Sequence, residues 1–270
     1  MSEPANGLQW FGRELEEALR HKGATQQALA DFTGYKAPYV SKVKNGQALP
    51  SPQFAEGCDR LFNTSGYFAR LLERISKHGH PEWFIPYLNL EEKAAGISDF
   101  SPFLVMGILQ TPNYAEALFR AAHPRDTDES IKTKVTARLH RRHTLEQDTP
   151  PLLWVILDES CLHRRVGGAG VMREQMEHLL LAAQGPNITL QVLPYDSGAP
   201  AAAEPYTLLT FNDGETAPVL YSEAQGEGRV IDSASMVATG TERYERLRAD
   251  ALSPERTVRA LRDAVKEYTR

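Results

Sequence analysis

The chain has 270 residues, a formal net charge of −5, 41% hydrophobic and 24% charged residues. That balance excludes wholesale disorder and a collagen-like fibre, and no apolar run approaches the roughly 18–20 residues of a membrane span. The two cysteines, Cys58 and Cys161, are too few for a disulfide framework and fit a reducing cytoplasm. The opening MSEPANGLQWFGREL has no basic stretch followed by an apolar one, so no secretory leader is expected.

The first 75 residues read as five short helices. Phe11, Leu15, Ala18 and Leu19 form one apolar stripe of a helix over about 9–21, ended by Gly23. Thr25 is a natural N-cap for a helix over 26–32, with Ala28, Leu29 and Phe32 expected inward and Gly34 as its stop. A third helix starts near Ala37–Pro38, buries Val40 and Val43, and ends at Asn45–Gly46. Ser51–Pro52 opens a fourth, and Thr64–Ser65–Gly66 precedes a fifth. The texture then changes. His78-Gly79-His80-Pro81 reads as a linker, followed by a segment rich in proline and aromatics and a helical block over about 113–147. LLWVIL (152–157), ITLQVL (188–193), YTLLTF (206–211) and VLYSE (219–223) read as strands, with helices over 158–165 and 170–184 between the first two. Two helices, 234–250 and 254–268, close the chain. The expected architecture is a five-helix N-terminal domain, 1–76, and a larger α+β domain, 77–270, with an antiparallel sheet.

Charge is unevenly distributed. Residues 1–66 hold seven basic and seven acidic side chains, yet residues 20–50 set five basic ones against Asp31 alone. The remaining 204 residues carry a net −5. A local basic face beside an acidic body points to a nucleic-acid contact confined to one end.

The stretch TQQALADFTGYKAPYVSKVKNG, 25–46, carries the function. Two short helices around a glycine turn, the second with basic and hydroxyl residues outward, make a helix-turn-helix. Its first helix must turn N–H groups toward phosphate, and Thr25 and Gln26 stand there. Its second must be slim and polar to enter a major groove about 12 Å wide. Ala37, Pro38, Ser41 and Lys42 form that face. Residues 8–66 therefore resemble the lambda-repressor-like domain of the Cro/repressor (XRE) family, on the TQ cap, the turn glycine, the NG terminus and the following LPS. The resemblance implies that Gln26 and Asn45 clamp phosphate and that Ala37, Pro38, Ser41 and Lys42 face bases, with Lys36 and Tyr39 at the edges. The family often has a glutamate at the position of Lys44, sometimes paired with an arginine on the first helix. Lys44 is expected to face Leu19, with both halves of that pair missing, and to direct its charge at phosphate.

VMGILQTPNYAEAL (105–118), LWVILDESCLHRRVGG (153–168), NITLQVLPYDSGA (187–199) and RLRADALSPE (246–255) resemble the long domain of actinobacterial WhiJ-like regulators. Met106, His143 and Pro200 depart from that group's usual proline, RRQ stretch and histidine. The resemblance implies no enzymatic activity, no cofactor and no metal. It implies a small BldB-like protein encoded nearby as partner of the C-terminal domain, which is expected to receive either such a protein or a small-molecule ligand. Other chemistry reads blandly. His140 and His143 lack further metal ligands at a recognisable spacing, and Arg138, Arg141 and Arg142 beside them read as a solvated helix face. Gly167-Gly168-Ala169-Gly170 lacks a phosphate loop's lysine and threonine and reads as a turn. Asp158-Glu159 read as a helix cap, Ser160 has no nucleophile elbow, and Cys161 and His163 diverge. The combined expectation is a cytoplasmic, homodimeric, non-enzymatic transcriptional regulator, most simply a repressor, on a pseudo-palindromic DNA site. The alternative is an antitoxin-like module that binds DNA only for autoregulation.

Overall fold

The computed structural model describes residues 7–77, 80–224 and 226–269. The stretch 1–6, and His78 and Gly79 of the expected linker, lie outside them. The chain divides into two compact units, one from the described residues of 1–80 with 123–140, the other from 81–122 with the described residues of 141–270.

In the first unit, α1 (Gly7–Lys22), α2 (Gln26–Thr33), α3 (Ala37–Lys44), α4 (Pro52–Phe62) and α5 (Tyr67–Lys77) surround a core that includes Phe11, Leu15, Leu29, Val40, Phe54, Cys58 and Phe68. Helix starts are set by side-chain caps: Thr25 Oγ1 accepts the Ala28 N–H at 3.1 Å and Ser51 Oγ that of Phe54 at 3.1 Å. Gly34, at φ 76°, ends α2 in the left-handed conformation that glycine adopts without cost. One expectation fails here. Leu29 and Ala30 are buried, whereas Ala28 is exposed and Phe32 is 51% exposed. The buried stripe of α2 runs through Leu29, Ala30 and Thr33, and Phe32 falls about 100° away on the helical wheel. Thr33 has a specific seat, because a Cβ on Gly57 of α4 would come 2.6 Å from its methyl.

The α4–α5 corner is organised by one buried carboxylate. Asp59 accepts the Thr64 hydroxyl at 2.5 Å and the N–H groups of Phe68 and Ala69 at 2.9 Å each. It thereby satisfies two of the orphan donors in the first turn of α5.

In the second unit, α6 (Ile85–Glu91) leads into β1 (Gly96–Ser101), and α7 (Pro112–Ala122) follows. The expected helical block breaks at 123–127: α8 (Asp128–His140) belongs to the first unit, and Arg141–Glu146 returns to the second as a 3₁₀ turn. Then come β2 (Leu152–Asp158), α9 (Ser160–His163), α10 (Ala169–Ala182), β3 (Ile188–Leu193), β4 (Tyr206–Thr210), β5 (Val219–Ala224), β6 (Glu227–Ile231), α11 (Ala234–Asp250) and α12 (Pro254–Glu267). The α+β class holds, but the six-stranded sheet, ordered β3-β2-β1-β4-β5-β6, is mixed rather than antiparallel. β1, β2 and β3 are parallel, and β4, β5 and β6 continue from β1 antiparallel. The cause is connection length: helices carry the chain from β1 to β2 and from β2 to β3, as parallel pairing requires. Strand alternation splits the core. Ile97, Leu153, Val155, Leu190 and Val192 pack with side chains of α7, α9, α10 and α12, while Phe100, Ile156 and Leu208 pack with Tyr244 and Leu247 of α11.

Asp59→Ala strands the two α5 amides and should cost about 2 kcal/mol. Chemical denaturation measures the loss, and an unchanged midpoint would remove Asp59 from this role.

Candidate nucleic-acid interface

An eight-residue α3 gains its exposed face from its buried one. Val40 and Val43 are fully buried, which turns Pro38, Ser41, Lys42 and Asn45, at i, i+3, i+4 and i+7, to the opposite side. Lys36, Pro38, Lys42 and Asn45 are exposed, and Ala37 and Ser41 are half-buried beside them. Lys36 stands at the N-cap of α3 without a side-chain cap bond, and Asn45 Nδ2 donates to Ser41 Oγ at 3.4 Å. Thr25 is spent on capping Ala28, and among the described residues no acceptor meets the N–H groups of Gln26 and Gln27 in the same first turn. Those amides sit at a helix N-terminus, which favours an anion.

Tyr39 has a different setting. Its ring stacks on Tyr35 at 4.6 Å and meets Phe54 edge-on at 5.4 Å, and its hydroxyl accepts the Ser51 N–H at 2.8 Å. Burial pushes its phenol above the ordinary range. Tyr39 thus ties α3 to the start of α4.

Lys44 is where the sequence reading is overturned. Its Nζ meets Glu16 Oε1 of α1 at 3.1 Å, so Leu19 is not its partner. The ion pair that the family resemblance suggested is present with its charges exchanged. Gly12, one turn before Glu16, explains the close approach. A Cβ there would come 2.2 Å from the Lys44 carbonyl oxygen, so α1 and the end of α3 touch backbone to backbone. Gly46 N–H donates to Val43 O at 3.0 Å and Gln47 N–H to Lys42 O at 2.8 Å, closing the end of α3. Sequence reasoning missed Gly12 and Glu16. Their signal was the stripe Gly12, Leu15, Glu16, Leu19 at helical spacing.

The second unit's polar groups are mostly committed to each other. Arg141 is not on a solvated face: its Nε and Nη2 donate to Glu91 Oε2 and Oε1 at 2.9 and 2.6 Å, and its guanidinium lies 5.0 Å from the Phe84 ring centre. Tyr87 also donates to Glu91, at 2.6 Å. Burial works against the Arg141 charge, and Glu91 more than offsets it, so the Arg141 pKa is raised. Arg142 donates to the Gln110 carbonyl. His140 ends α8 while His143 lies in the following turn, so they share no helix. Asp158 Oδ1 accepts the Ser160 N–H at 2.9 Å, as a cap does, and Glu159 accepts that of Tyr195 at 2.7 Å. Gly167 and Gly168 have φ of 69° and 93°, the turn expected of them. Cys58 and Cys161 are free and buried, and burial pushes both thiols up. Among the described residues no group of three or more His, Cys, Asp or Glu side chains is placed to hold a metal ion, and no helix is long and apolar enough to cross a membrane.

Asp99 is the outlier. This buried carboxyl in β1 accepts the Ser101 hydroxyl at 2.6 Å and that of Thr207 at 2.8 Å. Burial pushes its pKa up to about 6, against the pull of those two hydroxyls and of Arg141.

A family model described as a helix-turn-helix domain matches residues 10–71, and one described as a domain of unknown function, DUF5753, matches residues 84–263. No curated protein and no solved structure gives a significant match. The helix-turn-helix match supports a DNA-binding regulator.

Two outcomes follow from this geometry. Lys44→Glu would face Glu16 with like charge and should lower the melting temperature, by a coupling of about 0.5–1 kcal/mol. Exchanging both residues should recover most of it, less the cost of an acid at the C-terminal end of α3. A double-mutant cycle with zero coupling would make the contact incidental. For Asp99, the folded pKa of about 6 lies above the unfolded value near 3.9. Its charged form therefore opposes folding at neutral pH, and this contribution improves as pH falls from about 6 to 4, by about 3 kcal/mol in all. Asp99→Asn should flatten stability against pH in that window and stabilise the chain at pH 7. A pH profile identical to that of the unaltered chain would refute the assignment.

Proposed function

The chain belongs to the DUF5753 family, and from its helix-turn-helix unit we propose a sequence-specific transcriptional repressor that binds DNA as a homodimer. The polar stripe of exposed Pro38, Lys42 and Asn45 with half-buried Ser41, along α3, carries this reading. Residues 1–76 form the DNA-binding domain in this proposal. Residues 77–270 dimerise and receive a small protein partner in the cytoplasm. Ala37, Pro38, Ser41 and Lys42 face base edges. Thr25 positions the N-terminus of α2 through its cap, and Gln26, Lys36 and Asn45 hold phosphate. Tyr39 and Lys44 position α3 through Ser51 and Glu16 rather than touch DNA. One such module reads about half a site, so two half-sites about one helical turn apart are needed for useful specificity.

A mobility-shift assay with promoter DNA from the chain's own locus tests the proposal, and no shift at micromolar protein and low salt would sink it. Lys42→Ala should cost about 1–3 kcal/mol and relax preference at one base pair. Gln26→Ala and Asn45→Ala should weaken binding evenly across sequences. Equal losses without any change in preference would show that Lys42 is not a reader.

A further inference from the structure

In the first unit, the turn between α2 and α3 is closed by an aromatic residue that meets three elements. The Tyr35 N–H donates to the Ala30 carbonyl of α2 at 3.0 Å, directly after Gly34 has turned the chain. Its ring lies on that of Tyr39 in α3, with 4.6 Å between centres and 20° from parallel, and meets Phe54 of α4 edge-on at 5.5 Å. Its hydroxyl shares a 2.5 Å hydrogen bond with Ser51 Oγ, the N-cap of α4. Backbone, ring and hydroxyl tie Tyr35 to α2, α3 and α4 in turn.

Ser51 is where these restraints converge. Its Oγ accepts the Phe54 N–H at 3.1 Å and bonds the Tyr35 hydroxyl, and its N–H donates to the Tyr39 hydroxyl at 2.8 Å. The two stacked tyrosines are thus pinned, each by its hydroxyl, to one residue. Stacking alone tolerates a range of ring offsets, whereas a hydrogen bond weakens steeply as its angle departs from the ideal. The hydroxyl bonds fix what the stacked rings leave loose.

We infer that Tyr35 is a positioning residue for DNA reading: it sets the angle between α2 and α3, and with it whether both helices reach their places on one duplex. This rests on the DNA-binding reading proposed above. On that reading α2 turns its free amides to phosphate while α3 turns Lys42 to a base edge. Attraction between charges falls slowly with distance, but a hydrogen bond to a base is lost over a small displacement. A small change in the angle therefore costs sequence preference and leaves the pull of phosphate in place. Tyr35 is half-buried and uncharged, so it shapes the reading of DNA without adding to the electrostatic part of binding.

The test uses full-length Tyr35→Phe, which keeps the ring and loses the hydroxyl, beside the unaltered chain. Each is titrated against promoter DNA from the chain's own locus and against a random-sequence duplex of equal length, with thermal melting to confirm folding. Tyr35→Phe should lower affinity for the promoter by about tenfold, the worth of one hydrogen bond, and leave affinity for the random duplex and its salt dependence unchanged. Preference should relax at every base pair that α3 reads, whereas Lys42→Ala relaxes one. In the double variant Tyr35→Phe with Lys42→Ala, the second change should cost much less than it does alone, because a displaced α3 has already lost the Lys42 contact. An unchanged ratio of promoter to random affinity, an equal loss on both duplexes, or promoter losses that simply multiply in the double variant would overturn the role of Tyr35 while leaving DNA binding standing. An unaltered chain that shows no preference for the promoter would overturn sequence-specific reading itself, and the inference with it.

Discussion

A helix of eight residues is too short to be stable alone in water, so α3 exists only as it is held. Four restraints hold it. Val40 and Val43 sink into the core, the Lys44 carbonyl lies against Gly12, the Tyr39 hydroxyl takes the Ser51 N–H, and Lys44 reaches Glu16. The backbone contact at Gly12 is the least forgiving, because any Cβ there must displace a peptide group rather than a flexible side chain. Ion pair and phenol can adjust by rotation. The glycine contact fixes how far α3 stands from α1, and the exposed stripe of α3 inherits that placement.

The second unit reaches order by a different route, through internal polar pairs on a hydrophobic frame. Glu91 and Arg141 are both nearly inaccessible, and bidentate geometry with the Tyr87 hydroxyl satisfies the carboxylate. Removing one partner would leave an uncompensated buried charge, which is costly even where the intact pair contributes little. Arg141 is also the first residue after α8, where the chain re-enters this unit. Asp99 lies where the parallel and antiparallel halves of the sheet meet, on β1, with hydroxyl donors in place of a cation.

Much of this was legible in the sequence, where local chemistry decides the outcome. Thr25, Ser51 and Ser253 each accept the N–H three residues on, as an N-cap should, and the closing helices begin where Ser253–Pro254 and the 234 start were expected. Strands with apolar alternation were found at their places. β1 was not, because GISDFS carries glycine, serines and an aspartate, poor strand formers whose pairing comes from β2 and β4 on either side. β6, EGRVI, escaped for the same reason. The exposed face of α3 followed from the spacing of Val40 and Val43. The partner of Lys44 did not, because which α1 residue faces it depends on how two helices cross. Arg141 was misread because continuous helix periodicity through 147 hid the break after His140.

The charge count gains a physical meaning from these placements. Five cations against one acid within 20–50 suggested a local basic face. The structure pairs Arg20 with Glu17 and Lys44 with Glu16, so Lys36 and Lys42 are the cations that remain on the α3 side of the helix-turn-helix. Each cation that neutralises a phosphate contributes a slope of about −0.9 to log affinity against log salt, so on the proposed reading a module with so few free cations binds weakly on its own. On the same reading, the helix N-terminal amides at Gln26 and Gln27 would seat a phosphate without adding a mobile charge. On the proposed reading, a sparse module of this kind gains specificity only when two are held together. The acidic net charge of the rest of the chain works the same way, since it discourages non-specific contact with a polyanion.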